Sequence, residues 1–218
     1  ILDHNKHYSW ENFYENNVLS LRKILDNIQY KRLIYLSSGS IFSSNNLIPN
    51  PNNYYGLSKF VAEKLIQIKS NKFKKKEHII IRFPIVVGIN SRSNIVDDFA
   101  KKMVNNQKIE IYGDGKIKRN ITHIDDVLLF FDKIFKKKRF SKNLEFFNFG
   151  SKNSLYIRDI ANLIKKTLNS KSKIVNINKS RNSNYNAVIK KSSFNNLLNF
   201  KPISTKESII RLINQKYL

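Results

Sequence analysis

The chain contains no cysteine. That absence excludes disulfides, thiolate nucleophiles and cysteine-based zinc sites, and it fits a reducing, cytoplasmic compartment. No run of eighteen apolar residues occurs, so no membrane-spanning helix is expected. Glycine is scarce, six in 218 residues, and nowhere do the six form a Gly-x-Gly-x-x-Gly turn after a strand. The nucleophile elbow Gly-x-Ser-x-Gly is also missing, which sets aside a serine hydrolase despite Ser37, Ser38 and four histidines. Acidic residues are few, 16 against 40 Lys and Arg, for a formal charge of +24.

A charge of that size raises nucleic acid or an anionic surface as a partner. Two runs are the candidates, Phe73-Lys74-Lys75-Lys76 and Phe135-Lys136-Lys137-Lys138-Arg139-Phe140. Lys, Asn and Ile are all inflated along the whole chain, however, and all three have A/T-rich codons. Drift in base composition accounts for that without a binding role. Both runs also fall at predicted helix ends, where cations meet the carbonyl terminus favourably. Solvated surface is therefore preferred over a nucleic-acid site. His123 with Asp125 and Asp126 makes a poor metal set, because the acids read as a helix cap.

What is present is periodic. Residues 11–29 put Phe13, Val18, Leu21, Ile24, Leu25 and Ile28 on one side of a predicted helix. The apolar run 33–38 reads as a buried parallel strand ending in hydroxyls. After a polar Asn/Pro loop, a helix over 57–70 carries Phe60, Val61, Leu65, Ile66 and Ile68, and a strand over 78–84 ends at Pro84. Strand, helix and strand make one crossover unit. Beyond Gly88 the pattern predicts a helix at 94–105, a strand at 109–112 and a hairpin turn at Gly113-Asp114-Gly115. A strand over 117–124, a helix capped by Asp125 or Asp126, a strand at 145–149 and a helix at 155–168 come next. A strand at 174–177 and short helices at 193–198 and 206–216 close the chain.

The stretch around Tyr55 carries the chemistry. Tyr55 and Lys59 are four apart and share one face of a helix's first turns. A Lys beside a Tyr favours the phenolate, and such a Tyr exchanges a proton with a sugar or alcohol hydroxyl near neutral pH. Spacing alone decides nothing in so lysine-rich a chain, since Tyr112 and Lys116 repeat it in a Gly-rich turn. Context decides. Ser38 stands at the carboxyl end of the predicted strand, where open parallel sheets place their ligands, and Tyr55 follows after sixteen intervening residues.

A strand-end Ser followed by Tyr-x-x-x-Lys resembles the extended short-chain dehydrogenase/reductase superfamily. More closely, it resembles the NAD-dependent epimerase/dehydratase branch, which acts on nucleotide-linked sugars. The likeness continues in order through Glu15-Asn16-Asn17-Val18-Leu19, Ser37-Ser38-Gly39-Ser40-Ile41-Phe42 and Ile81-Arg82-Phe83-Pro84-Ile85-Val86-Val87-Gly88. It then runs from Ile111-Tyr112-Gly113-Asp114-Gly115 to Arg119, His123 and Asp126, and on to Phe147-Asn148-Phe149-Gly150-Ser151.

The resemblance implies an α/β fold, the C-terminal part of a Rossmann-like doubly wound parallel sheet with a smaller α+β substrate-binding region. Residues 1–88 would be a partial NAD(P)-binding domain. Residues 89–218 would be mainly substrate-binding, with some segments returning to the first domain. It implies too that the Gly-rich pyrophosphate turn lies outside this chain, which would begin part-way through the domain. Tyr55 is then the general acid/base, Lys59 lowers its pKa and binds the nicotinamide ribose, Ser38 bonds the reacting oxygen, and Asn17 completes the set. Ser37 and Pro84 join Tyr55 and Lys59 around NAD or NADP. Phe83, Ser38, Arg119 and Arg181 face a nucleotide-sugar substrate, the arginines on its diphosphate. No membrane partner is expected, a nucleic-acid partner is disfavoured, and a homodimer is left open.

Departures narrow the class. Dehydratases of this kind carry Thr-Asp-Glu where this chain has Ser38-Gly39-Ser40, so the acid and base for eliminating water are missing. Ile85 stands where many epimerases have an Asn on the substrate phosphate, which leaves room for a ketosugar reductase. Lys190-Lys191 replaces an acidic pair of the family tail. The expected function is thus a nucleotide-sugar epimerase or ketosugar reductase. A degenerate non-catalytic remnant is the alternative, and a basic nucleic-acid-binding module the third.

Overall fold

Strand-forming Ile, Leu and Phe build a parallel sheet of order β1-β2-β7, from Arg32–Ser38, Glu77–Phe83 and Leu144–Asn148. The computed structural model describes residues 8–42, 48–91, 94–150, 153–178 and 198–218. By its contacts the chain divides into two units: the first runs through Phe83 and takes up Lys133–Phe149, and the second holds Pro84–Asp132, Gly150 onward through residue 178, and Phe200–Leu218.

In the first unit β2 has a neighbour on each side and is buried along almost its whole length, which is why it reads as an unbroken apolar run. Among the described residues β1 pairs on one side only, and Leu36 is 50% exposed. Leu21, Leu25, Ala62, Ile66 and Ile80 form the core, closed by Tyr30, Leu33, Tyr35 and Phe146. The first helical segment is less regular than its sequence suggests. It comprises α1 (Trp10–Phe13), a π-helical stretch Tyr14–Leu19, and α2 (Ser20–Asn27). Val18, Leu21 and Leu25 face inward as expected, whereas Ile24 and Ile28 are exposed. Helix α3 spans Tyr54–Lys72, starting three residues before the expected 57 because Asn53 caps it through a bond to the Gly56 N–H. Its Ala62 and Ile66 are buried, and Ile68 points to solvent.

The second unit is built on β3 (Ile85–Val87), α4 (Ile95–Val104), β4 (Ile109–Tyr112), β5 (Lys118–Arg119) and β6 (Ile121–His123). It continues with the start of α5 (Ile124–Lys136), then β8 (Leu155–Tyr156), α6 (Ile157–Thr167), β9 (Ile174–Ile177) and α7 (Thr205–Lys216). An aliphatic core including Val96, Ala100, Met103, Ile160, Ile164 and Leu212 joins α4, α6 and α7. Three expectations change here. The Gly113–Gly115 turn has positive φ at both glycines, but it makes no hairpin: β4 pairs in parallel with β9, and β5 pairs antiparallel with β8. The single strand 117–124 is two, split at Asn120, and the helix expected from 155 opens with a strand pair. Asp125 and Asp126 do not cap α5; they lie inside its first turn, and the His123 imidazole accepts the Asp125 N–H instead. Most of the helix expected at 193–198 lies outside the described residues. Among the described residues no helix is long and apolar enough to cross a membrane.

Candidate functional site

The carboxyl end of β1 and the first turns of α3 are held together by a very close backbone approach. Ser38 ends β1, and its hydroxyl accepts the Ser40 N–H at 3.1 Å, folding the chain into a short turn over Gly39–Ile41. The start of α3 lies against this turn. A Cβ on Gly56 would stand 2.1 Å from the Ser40 carbonyl oxygen, so only glycine permits the contact. Because α3 begins at Tyr54, Tyr55 is already helical and shares a face with Lys59.

The Lys59 ammonium lies 5.9 Å from the centre of the Tyr55 ring and 5.0 Å from that of Tyr35, and it donates to the Leu36 carbonyl at 3.0 Å. Burial holds the Lys59 amine below its ordinary pKa. Burial likewise pushes Tyr35 far above the usual phenol value, with smaller contributions from the charges of Tyr55 and Glu63. The buried Tyr35 hydroxyl has no hydrogen-bond partner among the described residues. Lys59 thus lies among two phenol rings and a strand carbonyl, at the end of a parallel strand.

Asn17 reaches this helix indirectly. Its Nδ2 donates to Ser58 Oγ at 3.0 Å, and Ser58 Oγ donates to the Tyr55 carbonyl at 2.8 Å. The π-helical stretch, a conformation found often at functional sites, carries Asn17, and the Phe13 ring just before it is 5.9 Å from that of Tyr55. Asn17 therefore bonds a side chain that in turn holds the Tyr55 carbonyl.

Ser37 is buried. Strand alternation turns it away from Ser38 and into the core, where its hydroxyl donates to Glu63 Oε1 at 2.5 Å. Glu63 in turn takes two bonds from Arg82, Nε to Oε1 at 3.0 Å and a terminal guanidinium nitrogen to Oε2 at 2.7 Å. The Arg82 guanidinium lies 5.4 Å from the Phe42 ring and 4.9 Å from that of Phe146. This buried ion pair ties β1, α3 and β2 together beneath the Tyr–Lys face. Neither Glu63 nor Gly56 nor Ser58 was singled out in the sequence. Gly56 carried a signal, as a rare glycine beside the Tyr, but Glu63 and Arg82, nineteen apart, carried none.

The remaining candidates are dispersed. Phe83 is buried, its ring 5.2 Å from Phe149. Pro84 and Arg119 belong to the second unit; Arg119 is half-buried in β5 and donates to the Lys118 carbonyl. Arg181, Lys190 and Lys191 lie outside the described residues. His123 meets Gln215, Asp125 meets Arg211, and Asp126 accepts the Ile203 N–H. Among the described residues no His, Asp and Glu cluster could hold a metal ion.

Fold and site together define an α/β protein with a Tyr–Lys pair at the carboxyl edge of a parallel sheet. Residues 3–150 match the model of the NAD dependent epimerase/dehydratase family, and the chain belongs to that family. A dTDP-D-glucose 4,6-dehydratase of Dictyostelium discoideum is 33% identical over 147 residues, 57% of this chain and 34% of that protein. A putative UDP-glucose 4-epimerase of Methanocaldococcus jannaschii is 30% identical over 126 residues, 51% of this chain and 41% of that protein. The chain thus spans less than half the length of these two relatives. Among solved structures, the UDP-glucuronic acid 4-epimerase of Bacillus cereus, in complex with UDP-glucuronic acid and NAD, superposes with a TM-score of 0.82 at 21% identity, covering 97% of this chain and 71% of that one. The UDP-glucose 4-epimerase of Thermotoga maritima superposes with a TM-score of 0.77 at 19% identity, covering 94% and 69%. At these identities the likeness establishes the Rossmann-like fold.

Proposed function

We propose that this chain supplies the acid–base and nicotinamide-facing part of an NAD(P)-dependent nucleotide-sugar epimerase or ketosugar reductase. The observation that carries the reading is the half-buried Lys59 ammonium beside the Tyr55 ring at the end of β1. The residues present fit the ribose end of a dinucleotide: a desolvated cation and a phenol offer a donor and an acid/base to neighbouring hydroxyls. When bound, the dinucleotide exchanges hydride with the sugar carbon. Tyr55, as phenolate, takes the proton of the sugar hydroxyl and gives it back when the keto oxygen is reduced, the Lys59 charge stabilises that phenolate, and Ser38 orients the reacting oxygen. Asn17, through Ser58, fixes the α3 backbone that carries Tyr55. Arg119 and Arg181 are assigned to the substrate diphosphate.

Relatives of both dehydratase and epimerase type match the chain. The absence of an acid in Ser38-Gly39-Ser40 supports epimerisation or reduction over loss of water, because elimination needs a proton donor and a base at that turn. The test is turnover of a UDP- or dTDP-sugar panel with NAD or NADP. Tyr55→Phe keeps the ring and its packing and should lower turnover by about 10²–10⁴-fold. Unchanged turnover in that variant overturns the role of Tyr55. No turnover of any sugar by the unaltered protein, neither epimerised nor reduced product, favours the non-catalytic remnant.

A further inference from the structure

The first lysine run and the end of the second basic run, with Lys142 just beyond it, meet in space. β2 and β7 are adjacent and parallel, with His78 beside Leu144, so the loops entering them lie side by side. One loop carries Lys74, Lys75 and Lys76, the other Arg139 and Lys142, and between them is an open cavity of about 720 Å³. Lys74, Lys75, Arg139 and Lys142 form no ion pair within the described residues. The floor is rigid. Glu77 accepts the Phe140 N–H at 2.7 Å and the Arg32 Nε–H at 2.7 Å, and Arg32 also donates to the carbonyls of Ile134 and Lys137 at 3.0 and 2.9 Å. The one carboxylate in the cavity is thereby neutralised, and the exit of α5 is pinned. The convergent free cations face solvent over a fixed base.

We infer that this cavity, at the amino-terminal ends of β2 and β7, binds a short polyphosphate chain, as found in inorganic triphosphate or the triphosphate of a nucleotide. The charge of the lining favours a multiply charged anion. The neighbouring aromatic faces disfavour stacked bases: cations lie over Phe73, from Lys69 and Lys76, and over Phe140, from Arg32 and Lys137. A single-stranded nucleic acid would need those faces open. The cavity is separate from the Tyr55 site. Ser38 closes the opposite, carboxyl end of the same sheet, about 20 Å away for a seven-residue strand.

Titration calorimetry at physiological salt, with inorganic triphosphate and with ATP, tests the inference. Triphosphate should bind, and Lys75→Ala/Lys142→Ala should weaken it about ten-fold or more. Lys101→Ala/Lys165→Ala removes the same charge from helices of the second unit and should leave the affinity within about two-fold. Equal affinity for both ligands assigns the site to the phosphate chain alone, and tighter ATP assigns it to a nucleotide; either result, lost in the first variant only, supports the site. Circular dichroism checks that both variants are folded. The inference is overturned if triphosphate does not bind, if both variants lose affinity alike, or if a single-stranded oligonucleotide binds more tightly than triphosphate at the same salt.

Discussion

Each unit closes a carboxylate off from water, and the two are handled differently. Glu63, 2% exposed, is met by one dominant partner, the forked guanidinium of Arg82, with Ser37 in support. Asp97, 1% exposed, shares its charge among Lys216 and Tyr217 at 2.8 and 2.7 Å, Ser91 at 2.8 Å and Asn94 at 2.6 Å. Burial pushes the Asp97 pKa up, but the bonds from Lys216, Tyr217 and Ser91 outweigh it and hold the carboxyl below its ordinary value. A concentrated clamp fixes geometry tightly and fails all at once. A shared one tolerates the loss of a member. The concentrated clamp lies under the Tyr–Lys face, and the shared one anchors the end of α7 to α4.

Removing the single partner should therefore have the largest effect. Glu63→Ala leaves Arg82 buried and unpaired and should cost about 3–5 kcal/mol in denaturant unfolding. Glu63→Leu with Arg82→Met should cost less than Glu63→Ala alone, because the second substitution removes the orphaned charge. If the double variant is the worse, the clamp is not what holds β1, α3 and β2. Gly56→Ala drives a methyl into the Ser40 carbonyl and should cost about 1–3 kcal/mol, with a greater fractional loss of turnover than of stability. Lys216→Met leaves Asp97 three partners and should cost only about 1–2 kcal/mol.

Acid sharpens the contrast with a smaller effect. His78, buried beside Tyr30 and Asn143, is held below its ordinary pKa chiefly by burial. A depressed histidine stabilises the fold fully above its unfolded value near ~6.5, and that contribution is lost as pH falls below it. The depressed Asp97 contributes above its unfolded value near ~3.9 and is lost only as pH falls further. Asp126 acts in the opposite direction, since burial raises its pKa; its contribution is present in acid and lost as pH rises above about 4. The first unit should thus begin to weaken at a higher pH than the second. Trp10, the single tryptophan, lies in the first unit, so its fluorescence reports that unit while hydrogen exchange at α4 and α7 reports the other. Loss of the α4 and α7 signal before that of Trp10 would reverse the assignment.

What the sequence showed follows from how each feature is encoded. β2 was visible as a short apolar run because a buried parallel strand needs nothing else, and β1 and β9 were visible by the same pattern although they are only partly buried. The Tyr55–Lys59 face was visible because helical neighbours are fixed by spacing. The Glu63–Arg82 pair was not, since a chain with 40 basic residues offers every acid many partners and only the sheet register selects one. Strand alternation did hold a hint that Ser37 and Ser38 face opposite ways. The meeting of Lys74, Lys75 and Lys76 with Arg139 and Lys142 was invisible, because it depends on β2 and β7 being neighbours despite the α4–α5 segments between them.

The π-helical stretch makes the reach of Asn17 a matter of chain length as well as chemistry. A wider turn holds one residue more than an α-helical turn, so it acts as an insertion absorbed without breaking the helix. Its effect is a phase shift: each residue turns the helix by about 100°, and everything before the wide turn is rotated by that step relative to everything after it. Phe13 can therefore face Tyr55 while Leu21 and Leu25 face the core, although the spacing from Phe13 to Val18 is five. Deleting the exposed Glu15 alone should let the stretch relax to a regular α-helix and swing the Trp10 and Phe13 rings off the Tyr54 and Tyr55 rings, with no side chain of the site altered. Trp10 emission would record that rotation directly, and an unchanged spectrum would mean the phase is set by packing from outside the helix.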